Sequence, residues 1–150
     1  MDRFHLQLDF AFARMFEVFR LVNKKPKEYV PGMVLHYSEI HMIEAIGRNP
    51  DCKLTDISNI LSITKGTASK TITRLADKGL VSRYQLEDNK KEVYFRLTEL
   101  GQQAFDGHYA FHELRSSDID REFDTYTPEQ QQLILDCIQR YTEELKRYLH

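Results

Sequence analysis

Apolar residues recur at three- and four-residue steps along the first segment, at Phe4, Leu8, Ala11, Met15, Val18 and Val22. That is the helical period, and it predicts a long amphipathic helix. Asn23-Lys24-Lys25-Pro26 stops it. Residues 24–37, punctuated by Pro26, Pro31 and Gly32, read as a loop. Ser38 then reads as the N-cap of a helix through Ile46, with Ile40, Ile43, Ala45 and Ile46 apolar. Gly47 and Pro50 are its expected stop. Two short helical patterns follow. Thr55 is the expected cap of one, with Ile57, Ile60 and Leu61 apolar. Ser62-Ile63-Thr64 is a tight connection. Thr64 caps the second, which carries Ala68, Ile72 and Leu75 on one side and ends at Gly79. Helix, three-residue turn and helix make a helix-turn-helix pattern.

After Gly79 the period changes to two. Leu80 to Leu86 reads as a strand, and Glu92 to Leu97 as another, with Val93, Phe95 and Leu97 opposite Tyr94 and Arg96. Glu87-Asp88-Asn89-Lys90-Lys91 between them is a charged turn. Thr98 caps a further helix with Leu100, Ala104, Phe105, Phe111 and Leu114 apolar. Residues 116–126 are polar and read as a break. Thr127-Pro128-Glu129-Gln130 opens the last helix, with Thr as N-cap, Pro at the first helical position and Gln in a capping-box position. There Ile134, Ile138, Tyr141, Leu145 and Tyr148 step by four, three, four and three, a heptad seam. Its partner is either its own domain or another chain. The expected fold is mainly α with a small β-hairpin wing.

The chain has 150 residues, 41% hydrophobic and 29% charged, a composition that excludes wholesale disorder. Its apolar runs fall far short of the ~20 residues a membrane span needs. The N-terminus shows no signal-peptide pattern. Two cysteines, Cys52 and Cys137, make no disulfide framework. These features point to the reducing cytoplasm.

Net charge is −2, but it is unevenly spread. Residues 65–91 hold seven basic against three acidic side chains; residues 112–150 hold five against nine. Such a charge dipole suits one face for a polyanion. On a helical wheel the second short helix turns Gly66, Lys70, Thr73 and Asp77 away from the core, with Thr67 and Arg74 on the flank. Small residues allow close approach to a major groove, hydroxyls reach base edges or phosphates, and Arg or Lys reaches guanine. The N-terminus of the helix, from Thr64 and Lys65, attracts phosphate. Arg83, Lys90 and Lys91 put cations on or near the hairpin, a second contact. The plain alternative is a solvated helix face.

Residues 54–101, LTDISNILSITKGTASKTITRLADKGLVSRYQLEDNKKEVYFRLTELG, resemble the winged helix-turn-helix core of the MarR family of transcriptional regulators. The matching pieces are L-x-x-I-S-x-x-L, T-K-x-T-A-S-x-x-I-x-R-L-x-x-K-G-L-V, the acidic-then-basic wing and L-T-x-x-G. The flanking helices fit the family layout. The resemblance implies a single domain over 1–150: a DNA-binding core at 38–101 and dimerisation helices at 1–37 and 102–150. It implies a homodimer on double-stranded DNA, most simply a repressor of a palindromic operator, released or engaged by a small effector. One departure concerns the wing. The family usually has Asp-x-Arg, and here the residues are Asp88-Asn89-Lys90. Lysine keeps the charge and loses the planar fork, which favours phosphate contact. Phe4, Phe10, Phe12, Phe16, Phe19, Phe111, Phe123, Tyr141 and Tyr148 exceed what a small core can cover, an independent argument for pairing two copies.

His108 and His112 are spaced i, i+4 and share a helix face, as a metal chelate requires. With His41 they resemble the ligand set of the family's zinc-sensing branch, so zinc is the candidate cofactor. His36, Glu28 and Glu113 are further candidate ligands. Surface or interface histidines are the plain alternative. A small aromatic or anionic effector would instead meet Phe16, Phe19, Met33 and Tyr37, which a core stripe explains equally well. An oxidant would require a reactive cysteine. Cys52, beside Lys53 in an expected loop, is the candidate, with Cys137 expected to be packed. A small metalloenzyme using His41, His108 and His112 is the rival class, but no H-E-x-x-H, Gly-rich phosphate loop or nucleophile–base motif supports it. A winged-helix module that binds protein instead of DNA is a third class, and the retained Lys70, Arg74, Lys90 and Lys91 argue against it.

Overall fold

A computed structural model describes residues 3–113 and 118–149 of the chain. They fall into two compact units, Met1–Phe111 and His112–His150. The first unit holds α1 (Arg3–Val22), a hairpin of β1 (Lys27–Val30) and β2 (Met33–Leu35), and α2 (Tyr37–Arg48). Then come β3 (Cys52–Lys53), α3 (Leu54–Ile60), α4 (Lys65–Asp77), β4 (Val81–Leu86), β5 (Asn89–Leu97) and most of α5 (Glu99–Glu113). The second unit holds α6 (Asp118–Phe123), α7 (Pro128–Lys146) and a 3₁₀ turn at Arg147–Leu149. Among the described residues, no helix is long and apolar enough to cross a membrane.

The 24–37 segment is not a plain loop. β1 and β2 pair antiparallel, with Val30 opposite Met33 and a register shift between Glu28 and Val30. Pro31 and Gly32, read as breakers, form the connecting turn, and Gly32 takes the positive φ (77°) that Pro-Gly turns need. Val30 and Leu35 reach the core, which stabilises the hairpin.

Three helix boundaries differ from the sequence reading. α2 begins after His36, not Ser38, and the Glu39 carboxylate accepts the His36 backbone N–H at 2.9 Å. Gly47 lies inside α2 rather than ending it. A Cβ there would meet the Phe105 ring at 2.6 Å, so glycine serves helix packing at this position. α3 begins after Lys53, not Thr55; Asp56 accepts the Lys53 backbone N–H at 2.9 Å.

Other boundaries follow the pattern. Thr64 Oγ1 accepts the Thr67 N–H at 3.1 Å to cap α4, and Gly79 follows that helix at φ 72°. Thr98 Oγ1 accepts the Gly101 N–H at 3.0 Å. Thr127 and Gln130 form the capping box of α7. The 116–126 break holds a short helix, α6, over its described part; Leu114 lies outside the described residues.

β3, β5 and β4 form a three-stranded sheet in that order. β3 escaped the sequence reading because two residues carry no period. Ile40, Ile43, Ile46, Ile57, Ile72, Leu75 and Leu80 are almost wholly buried and form one core with Phe95 and Ala104. Each such side chain contributes about 1.5–3 kcal/mol by leaving water. This core fixes α4 and the wing strands in one body.

Candidate nucleic-acid interface

α4 buries Ala68, Thr71, Ile72 and Leu75, and its other face is open. Thr64, Lys65, Gly66, Thr67, Lys70, Thr73 and Arg74 are all exposed, as is Ser69, which the helical wheel passed over. Ser69 was legible only as a small hydroxyl residue beside Lys70. The threonine hydroxyls are largely engaged within the helix. Thr73 Oγ1 donates to the Ser69 carbonyl at 2.9 Å, Thr71 Oγ1 donates to the Thr67 carbonyl at 3.1 Å, and Thr64 and Thr67 share a bond of 2.9 Å. The cations are freer. Lys65, Lys70, Lys90 and Lys91 have no acidic partner within 4 Å among the described residues. Unpaired cations beside small residues are what a phosphate-lined groove attracts.

The wing is tighter than expected. β5 starts at Asn89, and Leu86 pairs with Asn89, so the turn is Glu87-Asp88 rather than five residues. Lys90 and Lys91 therefore sit on the strand, exposed, just past the tip. The reason is local hydrogen bonding. Gln85 Nε2 donates to the Lys90 carbonyl at 2.6 Å, and Glu92 Oε2 accepts from Asn89 Nδ2 and Tyr94 OH, both at 2.9 Å, and pairs with Lys53 Nζ at 2.6 Å. Lys53, followed by Tyr94, holds the Glu92 carboxyl below the usual carboxylate range. Arg83 Nη2 donates to Thr73 Oγ1 at 3.3 Å and joins wing and helix into one cationic surface.

Residues 35–93, the segment that builds α2 through the wing, match the family model described as the MarR family. HTH-type transcriptional regulator PchR of Bacillus subtilis is 30% identical over 120 residues, covering 80% of this chain and 71% of that protein. The chain belongs to the MarR family. The uncharacterized HTH-type transcriptional regulator YhjH, also of Bacillus subtilis, is 36% identical over 109 residues, 73% of this chain; the match spans 62% of that relative's length. The fold agrees with Streptococcus pneumoniae FabT, whose crystal structure is in complex with DNA: TM-score 0.70 at 21% identity, over 95% of this chain and 98% of that one. MarR proteins are transcriptional regulators, not enzymes.

The MarR core also carries a polar cluster away from α4. His41 Nδ1 lies 3.1 Å from Glu44 Oε2, and His108 Nδ1 lies 3.8 Å from the same oxygen. One ligand atom from each of the three residues falls within 4.8 Å of the others. His108 is only 4% exposed. The Tyr37 ring lies tilted against His41, with 4.1 Å between centroids, and Tyr29 meets His108 edge-on. Two imidazoles and a carboxylate are a donor set that fits zinc. Glu44 was missed in the sequence, although His41-x-x-Glu44 is an i, i+3 spacing. His112 is exposed on α5, in the second unit. Of the other candidates, Glu28 Oε1 accepts the Gly32 N–H at 2.9 Å, His36 is the N-cap of α2, and the Glu113 side chain lies outside the described residues.

Of the candidate effector residues, Phe19 meets Tyr37 edge-on at 5.2 Å between ring centroids. Phe16 stacks along α1 on Phe12, and Met33 packs against the core from β2. The cysteine expectations reverse. Cys52 is buried on β3, paired with Phe95, and burial pushes its thiol up to about 11. Cys137 is exposed on α7. A buried, high-pKa thiol is a poor nucleophile, so Cys52 does not suit oxidant sensing.

Proposed function

We propose that this MarR chain is a cytoplasmic homodimeric repressor that binds a palindromic operator through α4 and the wing and is controlled by a small effector. The observation that carries the reading is the exposed cation-and-hydroxyl face of α4, extended to the wing by the bond from Arg83 to Thr73. Phosphate contacts from Lys65, Lys90 and Lys91 would supply affinity and register, and Lys70 and Arg74 would meet base edges. The DNA in the FabT structure supports this placement by analogy of fold. Support for the homodimer comes from the apolar residues that the chain does not cover by itself. α1 and α7 bury none of their residues, and Phe10 and Leu133 are 81% and 70% exposed. Self-association would remove such surface from water.

Enrichment of duplexes from a random pool, with sedimentation of the free protein, tests this. The expected outcome is a dimer that enriches a two-fold site with half-sites roughly 34–36 Å apart. A monomer at micromolar concentration that enriches nothing at low salt would refute it.

A second reading concerns the effector. The shared contact of His41 and His108 with Glu44 favours a zinc ion as the controlling ligand. Bound there, zinc would join α2 to α5, and an effector of this kind acts by its different affinity for two dimer geometries.

A further inference from the structure

Glu39 is a carboxylate only 2% exposed in the first turn of α2, and none of the groups facing outward from α4 accounts for it. Oε2 accepts the His36 backbone N–H at 2.9 Å, and Oε1 accepts Lys78 Nζ at 2.8 Å. Lys78 caps the C-terminal end of α4, and its own backbone N–H donates to the Arg74 carbonyl at 3.0 Å. The pair thus fastens the last turn of α4 to the first turn of α2, across 39 residues of chain.

Apart from the attraction of Arg74 for the same carboxylate, the contact of α2 with α4 is built on apolar side chains. Ile40 and Ile43 from one helix and Ile72 and Leu75 from the other belong to the same buried cluster. Apolar burial is not directional, and it tolerates a small slide or rotation of one helix on the other. A buried, charge-assisted hydrogen bond does not. Burial alone would push the Glu39 carboxyl up; Lys78, the His36 N–H and the nearby charge of Arg74 more than offset that and hold it below the usual range, so it stays charged.

We propose that Glu39, acting through Lys78, is a positioning residue for DNA reading: it sets α4 along and about its axis so that Lys70 and Arg74 meet base edges in register. This inference rests on α4 being the DNA-reading helix. The pair also gives α2, which carries Tyr37 and His41, a polar hold on that helix.

The test uses the whole 150-residue chain and a duplex enriched by the wild-type chain, beside a random-sequence duplex of equal length. Glu39→Gln keeps the size and one acceptor oxygen, removes the charge and sets an NH2 donor against one of the two groups that Glu39 accepts from. It is expected to lose about tenfold in affinity for the enriched duplex. Random-sequence affinity and the salt slope stay as in wild type, at a temperature where thermal scans show the variant folded. Lys78→Met is expected to behave alike, to add little further loss in a Glu39→Gln background, and to be partly rescued by Lys78→Arg. Should Glu39→Gln not fold, Lys78→Met carries the same expectation from a partly exposed position.

A folded Glu39→Gln that binds the enriched duplex as wild type does would overturn the proposal. So would a Lys78→Met variant whose salt slope drops by about one, because Lys78 would then be touching phosphate itself. A wild-type chain that enriches no duplex removes the DNA reading, and the inference with it.

Discussion

Arg83 on the first wing strand donates to Thr73 on α4 at 3.3 Å, and Thr73 in turn donates to the Ser69 carbonyl. Wing and helix are therefore braced against each other by a side chain that also carries charge. Replacing Arg83 with alanine should weaken binding of the operator by about 1–3 kcal/mol and lower the salt slope by about one. Arg83→Lys should keep the slope and still lose part of the affinity, because lysine lacks the planar fork. Titrations at three salt concentrations distinguish the two variants; an Arg83→Lys variant that binds as wild type does would mean the bond to Thr73 contributes nothing.

Arg74 and the wing lysines should fail differently. Arg74→Ala is expected to cost about 1–3 kcal/mol and relax preference at one base position. Lys90→Ala or Lys91→Ala should weaken all sequences alike, each lowering the salt slope by about one. Binding to a panel of single-base operator variants separates these outcomes. If Arg74→Ala discriminates bases like wild type, that side chain does not read sequence.

The His41–Glu44–His108 cluster makes a prediction that needs no DNA. Purified protein incubated with zinc and desalted should hold about one ion per chain by elemental analysis. Both His108→Ala and Glu44→Gln should lose it, since each removes a donor from a three-residue set. Full retention of zinc in both variants would remove the metal reading.

Cys52 supplies a pH test. Burial raises its thiol from the usual 9.0 to about 11, so the unfolded chain ionises first as pH rises. The stability due to this group is fully present below pH 9 and is lost between about 9 and 11. Two pH units correspond to about 2–3 kcal/mol at most. Denaturant midpoints over this range should therefore fall faster for wild type than for Cys52→Ala. Parallel curves would contradict the assignment. Under native conditions near neutral pH an alkylating reagent should modify Cys137 well before Cys52.

Local chemistry made much of this protein legible in one dimension. The caps at Thr64, Thr98 and Thr127, the buried stripe of Ala68, Ile72 and Leu75, and the switch to period two after Gly79 each depend on residues within a few positions of one another. Those suffice to write a helix-turn-helix and a wing, and to put Lys70 on the open face with Arg74 at its flank.

Contacts between residues distant in the chain were decided only in three dimensions. Gly47 looked like a helix stop because nothing nearby reveals the Phe105 ring packed against it. The Pro31-Gly32 pair looked like a break because the pairing that makes it a turn needs the core contacts of Val30 and Leu35. Cys52 looked exposed until Phe95 paired with it, and Glu44 had no role until His108 arrived from α5. Glu39 and Lys78 stand 39 residues apart, and no periodicity links them. Sequence periodicity and capping are set by the i to i+4 neighbourhood of a residue. Burial, shared protons and the setting of one helix on another are set by partners that only the collapsed core brings within 4 Å.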